Sequence, residues 1–200
     1  MSTFVVAITG ASGSVYGLRL VEQLLQSGNE VALVATKAGR EVMEYETGFA
    51  MPGAGPAAAD AVLRFLELPA GSALRVIYEN DLFDAAASGS ARVDAMVACP
   101  ASMGFCASVA AGLASDLPER AADVMLKERR PLVLVPRETP LSLVHLRNLT
   151  ALTEAGAIVL PAAPAFYQRP ASIDDLIDFV VGKVLDVLGI EHGLFARWGE

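Results

Sequence analysis

"TFVVAITGASGSVYGLRLVEQLL", Thr3 to Leu25, decides the fold. An apolar strand runs into a glycine loop, Gly10-Ala11-Ser12-Gly13, and out of it into a helix. A strand, a tight glycine loop and a helix start in that order make an anion site, because the first amides of the helix point at the loop. The same residues also suit a plain strand-to-helix turn.

Outward from this unit the pattern repeats. Short, largely apolar runs at 30–36, 74–79, 95–100, 131–136 and 157–161 read as strands. Between and after them, 38–47, 60–68, 101–114, 118–129, 140–156 and 173–189 read as helices, the last with Ser172 as N-cap before Asp174 and Asp175. Uniformly apolar strands alternating with helices predict a parallel sheet covered on both faces. The expected architecture is α/β, a three-layer sandwich with a flavodoxin- or Rossmann-like doubly wound sheet. The whole chain, 1–200, is expected to be one domain, with the tail from about 190 completing the active site or a subunit interface. Ligands of such folds bind at the carboxyl ends of the strands. Here those ends read "TGASG", "ATK", "CPAS", "PRETP" and "PAAPAFY".

Composition narrows the class. Hydrophobic residues make up 54%, above the usual share for such domains, yet no apolar run approaches the ~20 residues of a membrane span. A large core with buried subunit contacts is expected instead. The formal charge of −8 argues against nucleic acid as a partner. Two cysteines, Cys99 and Cys106, and no signal-peptide pattern predict a reduced, cytoplasmic protein. Lys127, Arg129, Arg130 and Arg137 stand close together in an acidic chain, which suits either a local anion site or a solvated helix face.

The loop does not fit G-x-G-x-x-G, and the second strand ends in Thr36 and Lys37 rather than in an acidic residue for a ribose. A mononucleotide phosphate near Ser12 and Thr36, held by amides at the helix start, fits better. No tyrosine has a lysine four positions on, which removes the short-chain dehydrogenase reading. His145 and His192 lie far apart and the cysteines are not at zinc spacing, so no metal is expected.

Several segments together resemble the UbiX flavin prenyltransferases: "TGASGSVYGLRL", "YET" at 45–47, "ASGS" at 87–90, "CPASM" at 99–103, "ERAADVMLKERRPLVLVPRETPL" at 119–141, "PAAPAFYQRP" at 161–170, "DFVVGKVLDVLG" at 178–189 and "RWGE" at 197–200. The resemblance implies transfer of a dimethylallyl group from dimethylallyl monophosphate to reduced FMN. The product, prenylated FMN, serves UbiD-type decarboxylases. It also implies a homo-dodecamer. Residue by residue, Gly10, Ala11, Ser12, Thr36, Ser102, Met103, Gly104, Phe105 and Arg137 would hold FMN. Tyr167, Lys183, Lys127, Arg120 and Ser88 would surround the allylic phosphate. Glu138, Ser12, Glu46 and Trp198 would line the reacting centre, with Glu138 moving a proton. Phe105, Lys183 and Asp116 depart from the commoner threonine, arginine and asparagine. Glu138 beside Arg137 also suits a simple ion pair. The alternatives are an FMN-dependent decarboxylase of the cysteine-decarboxylase type, whose P-x-M-N-x-x-M-W motif is missing, and a non-catalytic FMN carrier.

Overall fold

The computed structural model describes residues 1–196. Trp198, expected at the reacting centre, lies outside the described residues. In chain order the elements are β1 (Thr3–Ile8), α1 (Ser14–Gln26), β2 (Glu30–Ala35), α2 (Lys37–Thr47), α3 (Pro56–Phe65), β3 (Leu74–Ile77), β4 (Ala95–Ala101), α4 (Met103–Ala110), α5 (Leu117–Lys127), β5 (Leu132–Pro136), α6 (Leu143–Glu154), β6 (Ile158–Val159) and α7 (Ile173–Leu188). A single 3-10 turn, Ala85–Ala87, interrupts the long loop before β4 and is capped by the Asp84 carboxylate. α3 begins earlier than its sequence pattern suggested, because Pro56 occupies its first turn, where a missing N–H costs nothing.

Six strands form one parallel sheet in the order β3-β2-β1-β4-β5-β6. Alternation along β1 explains why its run is wholly apolar. Phe4, Val6 and Ile8 face one core with α1, α3 and α7, while Val5 and Ala7 face the other with α4, α5 and α6. Every strand residue from Phe4 to Ile8 is buried.

The strand order reverses between β1 and β4, which pair from Phe4↔Ala95 to Ala7↔Ala98. The chain leaving β1 turns to one face and the chain leaving β4 turns to the other, so their end loops part and open a crevice. α1 rides close over β4 at this point. A Cβ placed on Gly17 would meet the Cys99 carbonyl oxygen at 2.2 Å, so only glycine allows the approach.

Candidate active site

The crevice is organised by a residue the sequence reading passed over. Thr9, at the end of β1, is buried, and its Oγ1 donates to the Pro100 carbonyl (2.9 Å) while accepting from the Ser102 N–H (2.7 Å). That hydroxyl ties the loop after β1 to the loop after β4. Ser102 then caps α4, its Oγ accepting from the Phe105 N–H at 3.1 Å. The next two amides, of Met103 and Gly104, meet no acceptor among the described residues. A Cβ on Gly104 would find nothing nearer than the Ser102 Oγ at 3.9 Å, so the helix start is open to a ligand. The side chains of Met103 and Phe105 point the other way and pack in the α4–α5–α6 core. Phe105, expected among the FMN contacts, thus turns its side chain away from the helix start and has its N–H held by Ser102.

At the neighbouring helix, two of the amides near the expected phosphate position have a partner within the chain. The first amides of α1 are already taken by a carboxylate of the same chain. Glu46, from α2, accepts from the N–H of Gly13 (3.0 Å), the N–H of Ser14 (3.0 Å) and the Ser14 hydroxyl (2.7 Å). Burial pushes this carboxyl up, but hydrogen bonds from the Ser12 and Ser14 hydroxyls and the two amides outweigh it and hold Glu46 below the usual carboxylate range. Thr36 lies next to this loop, its N–H on the Ile8 carbonyl (3.0 Å), and its Oγ1 caps α2 by accepting from the Gly39 N–H (3.0 Å). The N–H of Lys37 is held by Glu79 at 2.7 Å. Of the three helix starts around the crevice, α4 has two adjacent amides left for an anion.

Arg137 reaches across from the end of β5, its Nε donating to the Ser12 carbonyl at 3.2 Å. The carboxylate of Glu138 accepts from the Thr139 N–H (3.0 Å) and makes no ion pair with Arg137 among the described residues. Hydrogen bonds thus gather Ser12, Thr36, Glu46, Ser102 and Arg137 at the carboxyl end of the sheet around β1. Two further groups stand apart. Arg120 donates to the Ala87 carbonyl (3.1 Å) and pairs with Asp123 (2.6 Å), fixing the "ASGS" loop to α5. There Ser88 bonds Ser90 (2.9 Å), and Lys127 pairs with Glu128. The third group is on α7, where Tyr167 meets the Phe179 ring edge-on at 5.8 Å and Lys183 pairs with Asp186 at 3.2 Å. The side-chain hydrogen bonds and ion pairs of Arg120, Ser88, Lys127 and Lys183 stay within these two groups.

Comparison with known proteins decides what the crevice belongs to. The sequence profile of the Flavoprotein family matches residues 2–185. Flavin prenyltransferase UbiX of Pseudomonas aeruginosa is 50% identical over 194 residues, 97% of this chain and 92% of that protein. This chain belongs to the UbiX family of flavin prenyltransferases. Among solved structures, AnUbiX (PadA1) in complex with FMN and dimethylallyl pyrophosphate is 40% identical, with a TM-score of 0.88 over 100% of this chain and 98% of that one. A dodecameric FMN-dependent UbiX-like decarboxylase from Escherichia coli O157:H7 is 38% identical, with a TM-score of 0.86 over 99% of this chain and 100% of that one.

The residues present fit the flavin of a UbiX protein. Two adjacent amides at the open start of α4, with Arg137 opposite, suit a phosphate monoester. Glu46 already occupies the Gly13 and Ser14 amides on the α1 side, whereas the Met103 and Gly104 amides at the start of α4 are open. Both cysteines are buried and free, and burial pushes the Cys106 thiol up to about 12, which removes thiolate chemistry from α4. His192, unremarked in the sequence beyond its distance from His145, proves to be the buried histidine of the α7 corner.

Proposed function

We propose that this chain transfers the dimethylallyl group of dimethylallyl monophosphate to reduced FMN, joining it at N5 and C6. The observation that carries the reading is the crevice between β1 and β4, which combines unpaired helix-start amides, Arg137 and an internally held carboxylate in a UbiX-family chain. Reduced FMN supplies the nucleophilic ring atoms. Met103 N, Gly104 N, Ser102 and Arg137 would hold it against Gly10–Ser12 and Thr36. The allylic C–O bond breaks with its electron pair going to phosphate. Lys127, Lys183 and Arg120 would stabilise that leaving anion as fixed cations. The faces of Tyr167 and Trp198 would stabilise positive charge on the allyl carbon. Bonding at N5 releases the N5 proton; C6 then closes on the remaining alkene, whose C=C bond takes up one proton as C6 gives one up, and Glu138 would carry a proton between them at its carboxylate.

The separation of the groups on α5 and α7 from the crevice supports a site completed between copies of the chain, in a homo-dodecamer, with the C-terminal tail as part of it. The two buried free thiols support a reducing, cytoplasmic setting. Prenylated FMN would pass to a UbiD-type decarboxylase. The test is anaerobic incubation with reduced FMN and dimethylallyl monophosphate, followed by mass analysis of the flavin. A gain of one isoprene unit is expected; an unchanged flavin mass overturns the proposal.

A further inference from the structure

We infer that His192 is a positioning residue for the Lys183 ammonium, acting through Asp186. The inference rests on the reading above that Lys183 meets the allylic phosphate. The C-terminal segment folds back on α7 after Gly189 and lies directly on the helix. A Cβ on Gly182 would strike Phe195 Cε1 at 2.4 Å and His192 Cε1 at 2.7 Å, so a bare helix surface is needed there. The imidazole is thereby buried, 2% exposed, with its ring edge-on to Phe195 at 4.9 Å.

Both ring nitrogens are used. The Leu194 N–H donates to Nδ1 at 3.3 Å, which places the ring proton on Nε2. Nε2–H then donates to Asp186 Oδ1 at 3.3 Å, and the other oxygen, Oδ2, accepts from Lys183 Nζ at 3.2 Å. Exposure rises along this chain, from 2% at His192 through 20% at Asp186 to 46% at Lys183. A buried, doubly bonded ring thus holds one carboxylate oxygen, and the other oxygen holds the ammonium of a flexible lysine. Lysine needs such a support more than arginine does, since a point charge on a four-carbon stem has no fork of its own to orient it. Gln168 Nε2 donates to the Ala196 carbonyl at 2.9 Å, and Tyr167, Phe179 and Phe195 form a continuous row of rings. Tyr167 and Lys183 are therefore mounted on one assembly of loop, helix and tail, with His192 at its centre.

The experiment compares steady-state kinetics and FMN titration of the full chain with those of His192→Phe, His192→Gln, Asp186→Asn and Lys183→Ala. His192→Phe keeps a ring and loses both hydrogen bonds. It should raise KM for dimethylallyl monophosphate about 10-fold, with kcat and the FMN Kd within about 2-fold. His192→Gln restores a donor toward Asp186 and should bring KM back to within about 3-fold of the parent. Asp186→Asn interrupts the same chain from its middle and should raise KM if His192→Phe proves unable to fold. A raised KM in Lys183→Ala with an unchanged KM in both His192→Phe and Asp186→Asn overturns the inference alone. An unchanged KM in Lys183→Ala overturns the assignment of Lys183 and the inference with it. Parallel losses in kcat, FMN affinity and Tm, with no rescue by glutamine, reduce His192 to a packing residue.

Discussion

Thr9 shows how much a single hydroxyl does at this site. Replacing it by valine keeps the shape but leaves the Ser102 N–H without its acceptor and the Pro100 carbonyl with one donor fewer. Thr9→Val should cost about 1–3 kcal/mol in a denaturant melt and weaken FMN binding, whereas Thr9→Ser should retain both. Glu46 gives a pH signature. Its folded carboxyl is held below the ordinary value, so its contribution is complete above about pH 5 and is lost as pH falls through the lowered value. The Tm difference between the parent and Glu46→Gln should be flat at neutral pH and close in acid; a difference that grows in acid contradicts the hydrogen-bond account. Glu138 is free of Arg137, so Glu138→Gln should keep FMN affinity and slow product formation roughly 100-fold. Near-normal turnover would leave Glu138 as the acceptor for Thr139 only. These roles were unevenly legible. Ser12, Ser102 and Arg137 stand out as polar residues after apolar strands. Thr9 looks like one more strand residue, and Glu46, singled out by the resemblance alone, gives no sign of holding the start of α1 until folding sets it there.

Among the elements, the central strands were readable because burial on both faces leaves nothing polar inside them, and α7 because Ser172 announces its start, whereas the caps Ser102 and Ser142 emerged only in the structure. Strand order was not readable, since every apolar strand of a parallel sheet looks alike to its neighbours. β6 is shorter than its apolar run, because only Ile158 and Val159 pair with β5. The α1–α7 contact was equally hidden. It is fastened by Arg19, whose Nε meets Asp178 at 2.7 Å and whose Nη1 meets Glu22 at 2.8 Å, and the hydrogen bonds to Asp178 push its guanidinium pKa further up. The approach of α1 to β4 gives the prediction at this scale. Gly17→Ala must displace either the helix or the Cys99 carbonyl, so stability should fall by about 1–3 kcal/mol, read from urea midpoints at constant m. An unchanged midpoint would mean that α1 can lift off β4 freely.

For the molecule as a whole, the apolar excess in the composition has a visible address. Leu141, Leu143, Val144 and Leu146, at the start of α6, are 42–62% exposed. A patch of this kind on a chain of high hydrophobic content is what copies of a chain cover for one another. Native mass spectrometry should therefore find an oligomer, and Val144→Glu should shift it to smaller species with loss of turnover. A monomer of full activity would contradict a site shared between copies. Among the described residues no helix is long and apolar enough to cross a membrane. The carboxylate of Glu46 on the first amides of α1 has a consequence at this same scale. Flavin here is raw material, brought in and sent out altered at every cycle. A loop that relied on the visitor to satisfy its donors would slacken at each departure and have to be rebuilt at each arrival. With Glu46 seated on them, the Gly13 and Ser14 amides have a partner that does not depend on the visitor. The workbench stays rigid while the workpiece is exchanged.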